Sequence, residues 1–260
     1  SAVAAGMAGA VSVADPDLGT SAMHVIRPNR NQLPQDMEIH VHGVPATGAK
    51  SRVETQIRMR IELVVRGAKA EDGNPTWERI GSFGHIKVPP LSGTKRKSKK
   101  HQKVNVPSES LLLLEADVVN ATPPHARVYV CNSCRERERK RAHRKKSKKL
   151  SASVHPTEEE MRALDINPEL PNASELAAER MEEEERKHAV LFNCGDYIDF
   201  HDGEAVLSTR ITCYCRHHRE KLGFRIVFTL RDSHGEFVAT GATPPIMIMD
   251  DHKSVTQSAA

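Results

Sequence analysis

Residues 52–65 constrain this chain more than any other stretch. Ile57, Met59, Ile61, Leu63 and Val65 alternate with Arg58, Arg60 and Glu62. Successive side chains of a strand point to opposite faces, so a period of two describes a strand with one apolar and one polar face. Such a strand belongs to an antiparallel sheet that turns one side to a core. One sheet cannot cover that face by itself, so a second layer must pack on it. Shorter strand candidates occur at 37–44, 77–88, 127–130, 188–192, 197–200, 205–215, 224–230, 236–239 and 245–249. Residues 111–119 are apolar enough to be core, although their periodicity fits either a strand or a helix. Turn signals punctuate the candidates: Thr47-Gly48, Asp72-Gly73-Asn74-Pro75, Pro89-Pro90, Pro123-Pro124, and a hairpin with Gly235 near its tip. Many short strands with frequent turns predict an all-β sandwich.

Charge is distributed in blocks. The net charge of the 260 residues is a modest +4. Residues 135–149 nevertheless hold ten Lys or Arg and two Glu, and Lys95, Arg96, Lys97, Lys99 and Lys100 form a second basic group. Between 158 and 185, eleven carboxylates face two arginines. Capping-box patterns at Thr157-x-x-Glu160 and Asn172-x-x-Glu175 predict two short helices there. We read about 150–187 as an acidic helical insertion, 1–35 and 253–260 as linkers, and 36–252 as the sandwich. The acidic block can fold back on the basic one and compete with a polyanion.

A cation rail leaving an ordered β framework suits phosphate, because Lys and Arg that neutralise phosphates release condensed counterions. The candidate phosphate contacts are Lys95, Arg96, Lys97, Lys99, Lys100, Arg135, Arg137, Arg139, Lys140, Arg141, Arg144, Lys145 and Lys146. The alternative is a solvated charge run or a nuclear-localisation signal. Aromatic residues make up 4% of the chain, which argues against a binder that stacks many rings on single strands. Arg52, Glu54 and Gln56 alternate just ahead of the best strand. Arg can grip guanine with both arms, Gln can do so with adenine, and Glu can accept from cytosine. They are candidates for base readout, against the alternative of an ordinary polar strand face. Arg58 and Arg60 are expected to face solvent or phosphate. Residues 216–221, with Arg216, His217, His218, Arg219 and Lys221, are the next candidate.

Five cysteines, an odd and clustered set, suit a reducing compartment. Cys131-x-x-Cys134 has knuckle spacing, and Cys213 and Cys215 would share a strand face. With His143, His217 or His218 as a fourth ligand they could hold zinc. The competing reading makes them small core residues, and no other cofactor is expected. The chain carries no enzyme motif: Gly-x-Ser-x-Gly, P-loop and His-Glu-x-x-His are absent. Asp196, Asp199, His201 and Ser208 are a chance set of triad-type residues. No apolar run approaches a membrane span, so no membrane contact is expected of this segment. The opening residues lack the features of a signal peptide, and the chain reads as a fragment of something longer.

The segments KSRVETQIRMRIEL (50–63), CNSCRERERKR (131–141), FNCGDYIDF (192–200) and TRITCYCRHHREKLGFRIVFTLRDSHGEFVATGATPPIMI (209–248) resemble the DNA-binding region of the fungal Spt/Mga transcription activators. The wider resemblance is to Rel-homology and tumour-suppressor-type immunoglobulin-like domains. It implies an immunoglobulin-like sandwich whose loop at 51–56 enters the DNA major groove. It further implies a nuclear activator of fatty-acid desaturation genes, with duplex DNA and the transcription machinery as partners. The parent would be tethered to the endoplasmic reticulum before processing, and would dimerise through a downstream IPT/TIG domain. Two rival readings stand beside this one. The first is a protein-interaction module whose basic run is an import signal, and the second is a zinc-dependent RNA-binding domain.

Overall fold

The computed structural model describes residues 23–69, 75–90, 92–94, 106–147 and 158–250. They form an immunoglobulin-like sandwich of two mixed sheets. The strands, in chain order, are β1 (Val25–Ile26), β2 (Glu38–His42), β3 (Ala49–Arg52), β4 (Ile57–Lys69), β5 (Pro75–Ile80), β6 (His85–Lys87), β7 (Leu111–Asn120), β8 (Val190–Phe192), β9 (Tyr197–Asp199), β10 (Glu204–Ile211), β11 (Phe224–Arg231), β12 (Phe237–Ala242) and β13 (Ile246–Met249). Three α-helices, α1 (Asn132–Ser147), α2 (Glu158–Ala163) and α3 (Ala173–Lys187), lie between β7 and β8. None of these helices is long and apolar enough to cross a membrane.

The first sheet runs β1-β5-β4-β10-β8, with β2 also paired to β4. The second runs β3-β13-β11-β7-β6-β9, with β12 on β11. Alternation supplies the core between them. Met59, Ile61 and Leu63 of β4 meet Leu112 and Leu114 of β7 and Ile226, Phe228 and Leu230 of β11 in one buried cluster. Burying each such side chain contributes about 1.5–3 kcal/mol. At one edge β12 and β2 close the gap between the sheets. Gly241 has no side chain there, and a methyl group in its place would collide with the carbonyl of Ile39.

Three expectations change. Residues 52–65 are not one strand but the end of β3, a turn closed by Thr55 N–H donating to Arg52 O at 3.0 Å, and then β4. Val53 turns into the core while Glu54 and Gln56 stay exposed. The inside–outside alternation therefore passes unbroken through a turn that joins the two sheets. Residues 25–26, expected in a linker, add a parallel edge strand to β5. Residues 127–130 form no strand beyond a single bridge from Arg127 to Val119, although Val128 and Val130 are buried.

The polar face of β4 is likewise not simply wet. β4 is central, so His42 of β2, Arg79 of β5 and Glu204 of β10 close over Arg60 and Glu62. Glu62 is 1% exposed, with Arg79 Nη1 at 3.3 Å, Arg60 Nε at 3.5 Å and His42 Nε2 at 2.8 Å. Arg79 also pairs with Glu204. Removing one partner of a buried pair strands the other, which costs about 3–5 kcal/mol. We predict that Arg79→Leu lowers stability by about that much in urea unfolding. Arg27→Ala, which breaks the exposed pair with Asp202, should change it by less than about 1 kcal/mol.

Candidate nucleic-acid interface

The basic run is helical. Arg, Lys, Glu and Ala are good helix formers, and neither Gly nor Pro interrupts 132–147. At 3.6 residues per turn the cations sort onto three faces. Cys134, Arg137 and Glu138 point at the sandwich: Cys134 is fully buried, and Arg137 Nη2 donates to Thr212 O at 2.5 Å. Arg135 and Arg139 point at α3, pairing with Glu182 and Glu185 at 2.7 Å each. Lys140 and Arg144 lie on the remaining, exposed face, and Arg141 is half-buried. Lys145 and Lys146 continue the helix. Lys95, Arg96, Lys97, Lys99 and Lys100 lie outside the described residues.

The acidic helix α3 thus stands against the basic one. α2 and α3 share a small core of their own, built from Met161, Leu164, Ile166, Ala173 and Ala177. Val130 N–H donates to Arg186 O at 2.8 Å, so the chain leaves the sandwich and rejoins it at one point.

Arg210, at the end of β10, fixes α1 to the rest. Its side chain is 10% exposed, and its guanidinium meets both carboxylate oxygens of Glu138, at 2.9 and 2.7 Å. Its Nη1 also donates to Val53 O at 3.0 Å. One buried cation therefore holds both the basic helix and the 53–56 turn. Gln56 Oε1 accepts from Asn193 Nδ2 at 3.0 Å and from Ser208 Oγ at 3.2 Å. Both its lone pairs are used, which leaves its amide N–H groups for a ligand. A two-armed contact to adenine would need that oxygen released. Arg52 is exposed at the end of β3, in register with Met249. Nearby, the guanidinium groups of Arg137 and Arg216 lie over the Tyr214 ring, at 4.8 and 5.6 Å from its centre, and Arg216 pairs with Asp250. Arg219 and Lys221 are exposed.

The cysteines divide differently from their spacing. β10 ends at Ile211, so Cys213 and Cys215 are not on one strand face. Cys215 packs alone, its Sγ accepting from Ile248 N–H at 3.2 Å, and burial pushes its thiol up to about 11. Cys131, Cys134 and Cys213 converge with His217. The Nδ1 of His217 lies 3.2 Å from Cys131 Sγ and 3.3 Å from Cys134 Sγ. The hydrogen bond from Cys213 brings Cys134 down to about 4, and the same bond pushes Cys213 up. The His143 side chain is not among those described. Asp199 pairs with His201 at 2.5 Å, whereas Ser208 serves Gln56, so these residues form no triad.

Neither Arg210 nor Glu138 stands out in the sequence, yet this end of the molecule turns on them. The available signal was helical spacing: Glu138 sits one turn beyond Cys134 in a run whose composition favours a helix.

One end of the sandwich thus presents an anchored cationic helix, a polar turn and a basic loop, which can engage a polyanion and meet base edges. The family model for the SPT23/MGA2 DNA-binding domain matches residues 36–253. Protein SPT23 of Saccharomyces cerevisiae is 31% identical over 232 residues, covering 85% of this chain and 18% of that protein. Protein MGA2 of the same yeast is 27% identical over 229 residues, covering 86% of this chain and 17% of that protein. The chain therefore spans under a fifth of the length of these curated relatives. No solved structure matches it. The chain belongs to the SPT23/MGA2 DNA-binding domain family, a family of DNA-binding domains and not of enzymes.

Proposed function

We propose that this domain binds duplex DNA sequence-specifically through the end of the sandwich where α1, the 52–56 turn and the 214–219 loop meet. The observation that carries the reading is the Arg210 clamp, which presents the basic helix and the polar turn as one rigid surface. Lys140, Arg141 and Arg144, with Lys145 and Lys146 beyond, supply phosphate contacts that position the protein without reading sequence. Arg135 and Arg137 orient the helix, and Arg139 joins in when Glu185 releases it. Arg52 reads a base edge, and the Gln56 amide donates to an acceptor beside it. The basic segment at 95–100 adds phosphate contact.

The resemblance to the Spt/Mga activators extends the proposal to the parent protein. It would be a transcription activator acting in the nucleus on genes of lipid and fatty-acid desaturation. It would be released from the endoplasmic reticulum membrane, would engage the transcription machinery and would dimerise through a downstream domain. The rival reading, an interaction module with an import signal, does not account for a basic helix pinned to the sandwich by a buried salt bridge.

Selection from random duplexes should return a defined site. On that site Arg52→Ala should cost about 1–3 kcal/mol of binding and should leave affinity for random DNA almost unchanged. Lys140→Gln with Arg144→Gln should weaken both classes together and flatten the salt slope by up to about 0.9 per phosphate lost. If no sequence is enriched and both mutants behave alike, the domain is a polycation and not a reader. Glu182→Gln with Glu185→Gln should raise affinity for every duplex, since the α3 competitor loses its charge. Titrations at several salt concentrations would measure both effects.

A further inference from the structure

Four side chains meet at the base of α1 in a pattern that the DNA-binding surface does not use. Cys131 immediately precedes α1 and Cys134 lies in its first turn, while Cys213 and His217 come from the segment after β10. Their ligand atoms all lie within 4.8 Å of one another. Besides the two His217 contacts above, Cys213 Sγ is 3.7 Å from Cys131 Sγ and 4.0 Å from His217 Nδ1. A tetrahedral zinc with bonds of about 2.3 Å to sulfur and about 2.0 Å to nitrogen sets S···S near about 3.8 Å and S···N near about 3.5 Å. The observed spacings straddle those values. Cys134 and Cys213 are both fully buried, so their sulfurs face one another in a space closed to water. Cys215 shows the contrast, a core thiol that takes a backbone partner and joins no cluster.

We propose that Cys131, Cys134, Cys213 and His217 bind a structural zinc ion that clips the start of α1 to the sandwich. The donor set selects the metal: three soft thiolates and an imidazole suit zinc, whereas oxygen-seeking cations would find no ligand here. Four protein ligands leave no open position, so the role is structural. His217 binds through Nδ1, the nitrogen turned toward the sulfurs. Three thiolates and a neutral imidazole around Zn²⁺ leave one negative charge. The guanidinium of Arg137, one helical turn from Cys134 and over the Tyr214 ring, is placed to balance it. The clip joins residues 82 positions apart, as the Cys131–Cys213 pair does, and acts beside the Arg210 clamp on the same helix. The metal site stands without the DNA reading, and its effect on affinity rests on that reading.

The test uses the full chain, purified under reducing conditions with neither added metal nor chelator. Elemental analysis should find about one zinc per chain, as a closed four-ligand site requires. Cobalt should replace the zinc with the visible absorption of a tetrahedral thiolate complex. Cys215→Ser and Cys194→Ser should keep the metal, and Cys134→Ser should lose it. Because that variant can lose its fold as well, His217→Cys serves as the second probe: it should retain metal and shift the cobalt spectrum toward four thiolates. Chelation should lower the melting temperature, and zinc added back should restore it. A folded chain that carries no zinc, gives no cobalt spectrum and melts unchanged in chelator would overturn the site. So would a Cys131–Cys213 disulfide that persists in reductant. Stoichiometric zinc without DNA binding would defeat the DNA reading alone, and DNA binding by a zinc-free chain that ignores cobalt would defeat the metal site alone.

Discussion

The salt bridge from Arg210 to Glu138 holds one end of this molecule together. A surface ion pair would contribute little, because water screens it and the side chains lose freedom in forming it. This pair is different in kind. It is two-armed, largely buried, and completed by a third hydrogen bond to the carbonyl of Val53. Paired guanidinium and carboxylate forks fix direction as well as distance. The basic helix therefore has a set azimuth on the sandwich, and the turn that follows β3 has a set height beside it. Without the clamp, α1 would be held by Cys134 and its neighbours at one end and by α3 along one side. Its exposed cations would then have no defined relation to Arg52.

Much of the sandwich was legible in the sequence, because alternation and turn residues report directly on which side chains a sheet buries. β2, β11 and most of the short strands after 188 fall where their patterns place them, while β10 stops at Ile211, short of the expected Cys215, and the 111–119 stretch, open between strand and helix in the sequence, is β7. The failures came where alternation continued without a strand. Val53 is buried by a turn and Ile57 by β4, yet their spacing reads as one uninterrupted period. Arg60 and Glu62 sit at polar positions and are polar, but they are buried. A pattern of polar and apolar residues cannot tell a wet face from one closed over by matched charges, since the partners, Arg79 and Glu204, come from strands far along the chain.

The site was less legible than the fold, and for a similar reason. The basic run and its cysteine pair were visible as composition and spacing. That the run is a helix was not read from it, although Arg, Lys, Glu and Ala all favour one. Which of its cations face outward depended on what it packs against. Arg137 is taken up by Thr212 and Tyr214, and Arg135 and Arg139 by α3, so the number of lysines and arginines overstates the surface left for phosphate. Likewise Cys215 looks like a partner of Cys213 by spacing, but the chain turns between them. His217 takes its place because a short 3-10 turn (Cys215–His218) brings its ring back against Cys131 and Cys134.

The bond between Val130 and Arg186 has a consequence for what this fold can tolerate. It makes the whole excursion between them a loop with coincident ends, of which α1 is further held to the sandwich by Arg210. The entropy of closing such a loop rises only with the logarithm of its length, so each doubling costs about 0.6 kcal/mol. Residues can be added between α1 and α2 at small thermodynamic cost, provided the Val130–Arg186 bond and the core shared by α2 and α3 are kept. That part of the chain is free to vary in size among relatives, or to accept an inserted reporter, while the core on which it hangs remains unaltered.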